Sequence, residues 1–249
     1  MHLYDIDGKP CYEVPYKDPS RGMRKATLAD ARKMGLVPSV TEIIKIKAAP
    51  GLENWKVQQG IMAALTMPRD PNDTDADFIR KINVDAKEKA KIAADKGTAI
   101  HKAIENAFLG RVMSPEYKNL AIWVRDEIRK KYSYENTWYV EESFSHQLGY
   151  GGKVDLNAPR IKVVADIKTK EKFATKMAYD EHVMQLAAYA RGLGYDDALL
   201  VNIFVSWAGD IQIHEWSKEE AARGLRMFDL CLELWKEDKK YDPSFMEAS

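Results

Sequence analysis

The 249-residue chain has few cysteines, no long apolar run and no net charge. Its two cysteines, Cys11 and Cys231, are too few for a disulfide scaffold. No apolar stretch approaches the roughly 20 residues that a membrane-spanning helix needs. Residues 1–7 lack the basic and apolar regions of a secretory signal. We therefore expect a soluble protein of a reducing cytoplasm, without a membrane partner.

Charge and composition narrow the class of protein further. The chain has 38 basic and 38 acidic residues, so it has no overall attraction to nucleic acid, and any basic surface must be local. Apolar residues make up 45% of the chain, which excludes a disordered protein. The length fits one large domain or two small ones.

Residue patterns predict a helical N-terminal region followed by alternating strands and helices. A turn at Asp7-Gly8 predicts a hairpin over 1–16, and residues 17–37 look basic and irregular. Helices are predicted over about 38–46, 52–65, 75–109, 115–132, 174–193 and 218–239. Strands are predicted over 138–145, 152–156, 161–167, 198–206 and 211–216. This order predicts an α/β (α+β) fold, with a mixed central sheet and flanking helices in residues 83–249 and a hairpin and helical region in residues 1–82 packed on that core.

Two predicted strands end in residues that can perform chemistry. Asp166 and Lys168 lie two residues apart, so their side chains share one face of the strand. Asp155 ends the preceding strand and can lie beside them. Two carboxylates at a sheet edge are costly to bury unless a cation lies between them, and oxygen ligands suit Mg²⁺ or Mn²⁺. Lys168 would then orient a water or stabilise negative charge on a phosphate, although most Asp-x-Lys sequences are ordinary surface ion pairs.

Two helical segments accompany these strands. Gly97 and Thr98 precede His101 by one turn, and small residues would let that helix approach the sheet closely enough for His101 to bind the cation. Gln185 and Tyr189 lie four residues apart on one face of the helix that follows Lys168. A packed or surface role is the simpler alternative for each helical residue taken alone.

Together the four segments resemble the PD-(D/E)XK nuclease superfamily in its RecB-type exonuclease branch. The hallmarks of this branch are Gly-Thr-x-x-His, Gly-x-x-Asp, Asp-x-Lys and Gln-x-x-x-Tyr, in that order. They occur here at residues 97–101, 152–155, 166–168 and 185–189. The sequence Val-Pro-Ser-Val-Thr at 37–41, followed by Trp55, is also similar to phage exonucleases and to mitochondrial genome-maintenance exonucleases.

The resemblance implies a restriction-endonuclease-like core and a metal-dependent DNA exonuclease. It implies that one or two Mg²⁺ or Mn²⁺ ions are held by His101, Asp155, Asp166 and the backbone carbonyl of Ile167. Lys168 would be the catalytic lysine. Some relatives carry a four-cysteine iron–sulfur cluster, but two cysteines cannot supply its ligands, so we expect none.

Further site residues follow from the same resemblance. Gln185 and Tyr189 would position either the DNA or the lysine. An additional acid is expected on the strand before Asp155, where Glu141 and Glu142 both qualify. Comparison with the usual apolar positions of that strand favours Glu141, whereas simple alternation would turn Glu142 toward the core.

Candidate DNA contacts surround the proposed site. They are Ser39, Thr41, Trp55, Lys96, Thr98, Lys170, Lys172, Gln185 and Tyr189. Lysine-rich segments at 80–102 and 168–176 could contact phosphates without reading sequence. Trp55, Tyr132 and Tyr134 could stack on unpaired bases, and a helix beginning near Ser39 could bind a phosphate. Core packing, helix capping and a solvated lysine face are the structural alternatives.

The favoured hypothesis is an exonuclease that acts on single-stranded DNA ends in phage-type recombination, replication or repair. Such an enzyme would work in a bacterial or phage-infected cell, and residues 38–82 could arch over the site to thread a free strand. The chain has no phosphate-binding loop of a helicase, so a helicase, a recombination protein or a single-strand-binding protein would be a separate partner. The alternatives are a structure-specific endonuclease of the same fold, a catalytically silent DNA-binding recombination partner, and an unrelated α/β protein with a fortuitous set of motifs.

Overall fold

The described residues fall into two compact units. A computed structural model describes residues 1–47, 50–133 and 137–245, with side chains at all of these positions except 19, 50–52 and 55. Unit 1 comprises Met1–Lys47 and Ala103–Ser249, and unit 2 comprises Ala48–Lys102.

The N-terminal segment of unit 1 contains short strands and two short helices. They are β1 (Leu3–Tyr4), β2 (Glu13–Pro15), β3 (Met23–Lys25), α1 (Leu28–Met34), β4 (Val37–Pro38) and α2 (Val40–Ile44). Strand β1 pairs with β4, and β2 pairs with β3. The predicted hairpin around Gly8 is present over residues 3–11, where Tyr4 and Pro10 form an antiparallel bridge and the Cys11 N–H donates to the Leu3 carbonyl at 2.8 Å. Strand β1 pairs in addition with β4, 33 residues along the chain.

The prediction of an irregular stretch over 17–37 is wrong, because strand β3 and helix α1 form there. Its start is fixed by Asp30, whose carboxylate accepts hydrogen bonds from the Thr27 backbone N–H at 2.9 Å and from the Thr27 hydroxyl at 2.7 Å. Arg24 donates to both oxygens of the same carboxylate, and this hydrogen-bonded ion pair holds the pKa of Asp30 far below its usual value. Capping of this kind stabilises the start of a helix even where the segment has few apolar residues.

Unit 2 is helical. Helix α3 spans Pro50–Thr66, and helix α4 spans Asp75–Leu109. The predicted helix over 75–109 is present as α4, and the predicted boundary after residue 82 falls within it. The last turns of α4, from Ala103 onward, belong to unit 1.

A five-stranded mixed sheet forms the centre of unit 1. After α5 (Lys118–Tyr132), the chain forms β5 (Tyr139–His146), β6 (Tyr150–Ala158), β7 (Val163–Lys170), α6 (Asp180–Gly192), β8 (Leu199–Ser206), β9 (Ile211–Glu215) and α7 (Lys218–Lys239). The strands lie in the order β5-β6-β7-β8-β9, and only β7 and β8 are parallel. The predicted mixed sheet with flanking helices is therefore confirmed as a mixed α/β architecture.

One face of the sheet carries the largest core. Helices α2, α6 and α7 cover it, and the buried cluster includes Val154, Val164, Leu186, Phe228 and Trp235. Because successive strand residues point to opposite faces, Asp166 and Lys168 share the α6 side of β7 with Val164. None of the described helices has the length and apolarity needed to cross a bilayer.

Burial of His182 predicts a pH dependence of stability. Burial, followed by the charges of Lys168, Lys170 and His214, lowers the pKa of His182 to about 3. Its Nδ1 accepts the Tyr179 backbone N–H at 3.4 Å, which requires a neutral ring. In the unfolded chain His182 binds a proton below about pH 6.5, whereas in the folded chain it does so only below about pH 3. Stability therefore falls as the pH decreases through this window.

We expect the free energy of unfolding to lose about 1 kcal/mol from this residue between pH 7.5 and 5.5. Urea unfolding of the wild type and of His182→Gln at both pH values measures it. The variant should show the smaller pH dependence, because glutamine does not titrate. Equal pH dependence in both proteins would contradict the assignment.

Candidate functional site

The candidate site lies where strands β6 and β7 separate. The paired positions of the two strands end at Leu156 and Ala165. One residue further on, the Asp155 carboxylate accepts a hydrogen bond from the backbone N–H of Ile167 at 2.8 Å. The Asp155 side chain thus replaces the backbone pairing that ends there, and the hydrogen bond holds Asp155 beside the middle of β7.

Asp166 is the buried centre of a hydrogen-bond network. The residue is only 2% exposed. Lys168 Nζ lies 3.0 Å from Oδ1 and 2.9 Å from Oδ2 of its carboxylate. Gln185 Nε2 donates to Oδ1 at 2.9 Å, and Asn202 Nδ2 donates to Oδ2 at 3.0 Å. A buried carboxylate is tolerated only with such charge and hydrogen-bond compensation.

Lys168 forms the more exposed part of this network. Its side chain is 27% exposed, against 3% for that of Asp166. Burial alone lowers the pKa of Lys168, but the charges of Asp166 and Asp155 and the hydrogen bond to Asp166 outweigh it and hold the pKa above its usual value. In this arrangement Lys168 is therefore a hydrogen-bond donor and a positive charge, not a base.

Gln185 connects three of the predicted site residues. Its amide nitrogen donates to Asp166 and, at 3.0 Å, to the hydroxyl oxygen of Tyr189. Its amide oxygen accepts from Lys168 Nζ at 3.1 Å. Burial and the charges of Asp166 and Asp155 raise the pKa of Tyr189 well above its usual value, so its hydroxyl stays protonated. The sequence left two roles open for Gln185, which were to position the DNA or to position the lysine. The hydrogen bond with Lys168 is a direct contact of the kind that positioning the lysine requires.

Gly152 explains why two of the motifs occur together. A Cβ atom at this position would lie 2.6 Å from Cε1 of the Tyr189 ring and 2.8 Å from that of Phe144. A larger residue at this position would displace the Tyr189 ring, whose hydroxyl accepts from Gln185 on the same helix. The Gly-x-x-Asp strand and the Gln-x-x-x-Tyr helix are thus coupled by packing.

The additional acids lie on the other side of Asp155. Val140 pairs with Leu156 and Glu142 with Val154, so Glu141 lies across from Asp155. Glu141 has a φ of +57°, an uncommon backbone conformation for this residue type, and it forms an ion pair with Lys153. Glu142 instead accepts a hydrogen bond from Asn157 at 2.7 Å.

Glu105, on the last part of α4, lies close to Glu141. It is buried, and carboxylate oxygens of the two residues lie within 4.8 Å of each other. His101 precedes Glu105 by one turn of the same helix, so the two side chains lie on one helix face. Within unit 1, Glu105 and Glu141 therefore offer oxygen donors of the type that binds divalent cations.

The oxygen donors at the strand separation also suit a hard divalent cation. Asp155 and Asp166 supply carboxylates, and Ile167, whose N–H donates to Asp155, directly follows Asp166 along β7. The positive charge that faces Asp166 is the Lys168 ammonium, which contacts both of its oxygens. A cation that binds Asp166 would therefore compete with the Lys168 ammonium, which already pairs with that carboxylate.

The predicted DNA contacts near the start of α2 have structural roles. The Ser39 hydroxyl accepts the Glu42 backbone N–H at 3.1 Å, so this buried serine is the N-cap of α2. Its hydroxyl also lies 3.1 Å from that of Thr41. Helix capping therefore accounts for Ser39.

The other residues predicted to contact DNA differ in exposure and in their hydrogen bonds. Lys170 is partly buried, while Lys172 is exposed. In unit 2, Lys96 is half-buried, and the exposed Thr98 hydroxyl donates to the Ala94 carbonyl at 2.9 Å. Tyr132 donates to Glu215 at 2.7 Å. The side chain of Trp55 and the whole of Tyr134 lie outside the described residues.

The basic stretch of α4 carries local ion pairs. In unit 2, Arg80, Lys81, Lys89 and Lys91 pair with Asp77, Asp73, Asp85 and Asp95, respectively. Exposed pairs of this kind contribute little to stability, but they reduce the net positive charge of the helix.

Sequence reasoning assigned no role to two residues of this region. Asn202 interrupts the otherwise apolar run of β8, and Glu105 is an acid one turn after His101 on a helix face that packs inward. Both signals are visible in the sequence. What the sequence does not give is the pairing of β7 with β8, which places Asn202 beside Asp166.

Comparisons with known proteins add little to this geometry. No family model and no curated protein matches the chain. A solved structure described as the crystal structure of SSO0001 is similar over 74% of this chain and 86% of that chain, with 11% sequence identity and a TM-score of 0.37. A similarity at this level carries no argument about function.

The packing at Gly152 yields a stability prediction. Gly152→Ala should lower the free energy of unfolding by about 2 kcal/mol, because the new methyl group displaces the rings of Tyr189 and Phe144. Gly60→Ala is the matched control, since a Cβ there meets no atom within 4 Å. That helical substitution should be neutral or stabilise by up to about 1 kcal/mol. Chemical denaturation measures both, and equal effects would contradict the packing account.

Proposed function

We propose that this chain is a Mg²⁺- or Mn²⁺-dependent deoxyribonuclease of the PD-(D/E)XK superfamily, in its RecB-type branch, that degrades DNA from single-stranded ends. One observation carries the proposal. Residues of three separate motifs, Asp155, Asp166–Lys168 and Gln185, meet at the point where β6 and β7 separate.

A purely structural role explains this meeting poorly. Replacing a buried ion pair by apolar residues of similar size is often neutral or stabilising, so a stable sheet does not require it. Asp155 adds a second carboxylate at the same point, which increases the negative charge that must be compensated. This combination is expected of a site that binds a cation and a phosphodiester.

Each residue has a distinct task in the proposed reaction. Asp155 and Asp166 would hold the cation, together with the Ile167 carbonyl and His101 that the resemblance implies. The cation supplies Lewis-acid polarisation of the phosphodiester. Lys168, the exposed member of the network, would place its ammonium against the phosphate where negative charge accumulates. Gln185 keeps that ammonium in place through the hydrogen bond from Lys168 to its amide oxygen.

The overall chemistry is hydrolysis. Water adds to phosphorus, the bond from phosphorus to the 3′-oxygen breaks, and the departing oxygen takes up a proton. The ammonium of Lys168 favours the transition state because negative charge on the phosphate grows as the water attacks. Action from ends, rather than within the strand, is proposed from the RecB-type resemblance.

The test is a cleavage assay on end-labelled linear single strands, linear duplexes and circular single strands, with Mg²⁺, Mn²⁺ or EDTA. The wild type should degrade linear single strands only with a divalent cation and should spare circles. Asp166→Asn and Lys168→Ala should each lower the rate at least about 100-fold. Asp180→Asn removes an ion pair with Arg223 from the start of α6 and should leave the rate unchanged.

The outcomes separate the alternatives. Cleavage of circles at the rate of linear strands would favour an endonuclease of the same fold. Cleavage that persists in EDTA, or in Asp166→Asn, would overturn the proposed site. Tight DNA binding without cleavage by the folded wild type would favour the catalytically silent DNA-binding protein.

A further inference from the structure

Asn202 is a buried amide in an apolar strand. Strand β8 is apolar except for Asn202 and its last residue, and Asn202 is 0% exposed. Asparagine is disfavoured in strands, and an amide without partners is costly to bury. A residue of this type therefore needs a specific partner at this position.

The partner is the Asp166 carboxylate. The two residues are paired in the parallel register of β7 and β8. Asn202 Nδ2 donates to Oδ2 of Asp166 at 3.0 Å, while Gln185 Nε2 donates to Oδ1 at 2.9 Å. Two amides from two elements thus hold the two oxygens separately, which fixes the rotation of the carboxylate plane.

Trp216 fixes the orientation of the Asn202 amide. Its indole Nε1–H donates to Asn202 Oδ1 at 2.8 Å. An indole N–H can only donate, so it selects the amide oxygen and turns the amide NH₂ toward Asp166. A carboxylate at position 202 would still accept from Trp216, but it would place a second negative charge against Asp166.

We propose that Asn202, oriented by Trp216, is a positioning residue that sets the affinity of Asp166 for the divalent cation. This inference rests on the proposed function. Residues that hydrogen-bond to a metal-binding side chain orient it, and their loss typically weakens metal binding or activity 10- to 100-fold. Lys168 cannot take over this task, because its ammonium contacts both oxygens and selects no single orientation of the carboxylate.

The test measures Mn²⁺ binding by calorimetry, alongside the cleavage rate. Asn202→Leu keeps the approximate shape and removes the amide, and it should raise the Kd for Mn²⁺ by about 10- to 100-fold. Trp216→Phe should cause a smaller rise in the wild type and none in the Asn202→Leu background, because Trp216 acts only through Asn202.

Ser206→Ala is the matched control. Ser206 is buried on the same strand, and its hydroxyl donates to the Asp210 carboxylate at 2.7 Å, away from Asp166. Its loss should destabilise the protein without changing the Kd for Mn²⁺. A merely structural Asn202 would behave in the same way, with a lower folded fraction and an unchanged Kd.

The possible results are distinguishable. If the wild type neither binds Mn²⁺ through Asp166 nor cleaves DNA, the proposed function fails. If the wild type does both and folded Asn202→Leu keeps the wild-type Kd, the positioning role alone is overturned. If Asn202→Leu does not fold, Trp216→Phe decides, and an unchanged Kd in that variant overturns the inference.

Discussion

The buried carboxylate of Asp166 must be matched by donors from several parts of the chain. Lys168 on the same strand, Gln185 on α6 and Asn202 on β8 supply them. Removing one partner of a buried charge typically costs about 3–5 kcal/mol, so these contacts restrain the relative positions of β7, β8 and α6. These contacts, together with the hydrogen bond from the Ile167 N–H to Asp155, bring an ammonium and two carboxylates to the place where β6 leaves β7. Folding and the proposed chemistry therefore depend on the same set of hydrogen bonds.

Periodicity was sufficient to predict the elements of the sheet region but not those of the N-terminal segment. A long segment with a helical repeat of apolar residues, such as 218–239, can be predicted as a helix without knowledge of its neighbours. The predicted range matches α7. In the N-terminal segment, strands of two or three residues have no period to detect. Helix α1 depends on Thr27, Asp30 and Arg24, whose mutual hydrogen bonds become evident only when the segment is folded.

The motif residues of the site could be recognised from the sequence, but their partners could not. Asp155, Asp166 and Lys168 have a characteristic spacing, whereas Asn202 is defined by a pairing between β7 and β8 that crosses 36 residues. The choice between Glu141 and Glu142 was open because the comparison with related sequences favoured Glu141, whereas simple alternation turned Glu142 toward the core. The regular pairing of β5 with β6 places Glu141, not Glu142, across from Asp155.

The central claim is that Asp155 and Asp166 together hold a divalent cation. Anomalous diffraction from crystals soaked in MnCl₂ tests it most directly. We expect a manganese peak within about 2.0–2.4 Å of a carboxylate oxygen of each residue, and its loss in Asp166→Asn crystals. A manganese peak elsewhere, with Asp166 still held by Lys168 and Asp155 still bonded to the Ile167 N–H, would contradict it.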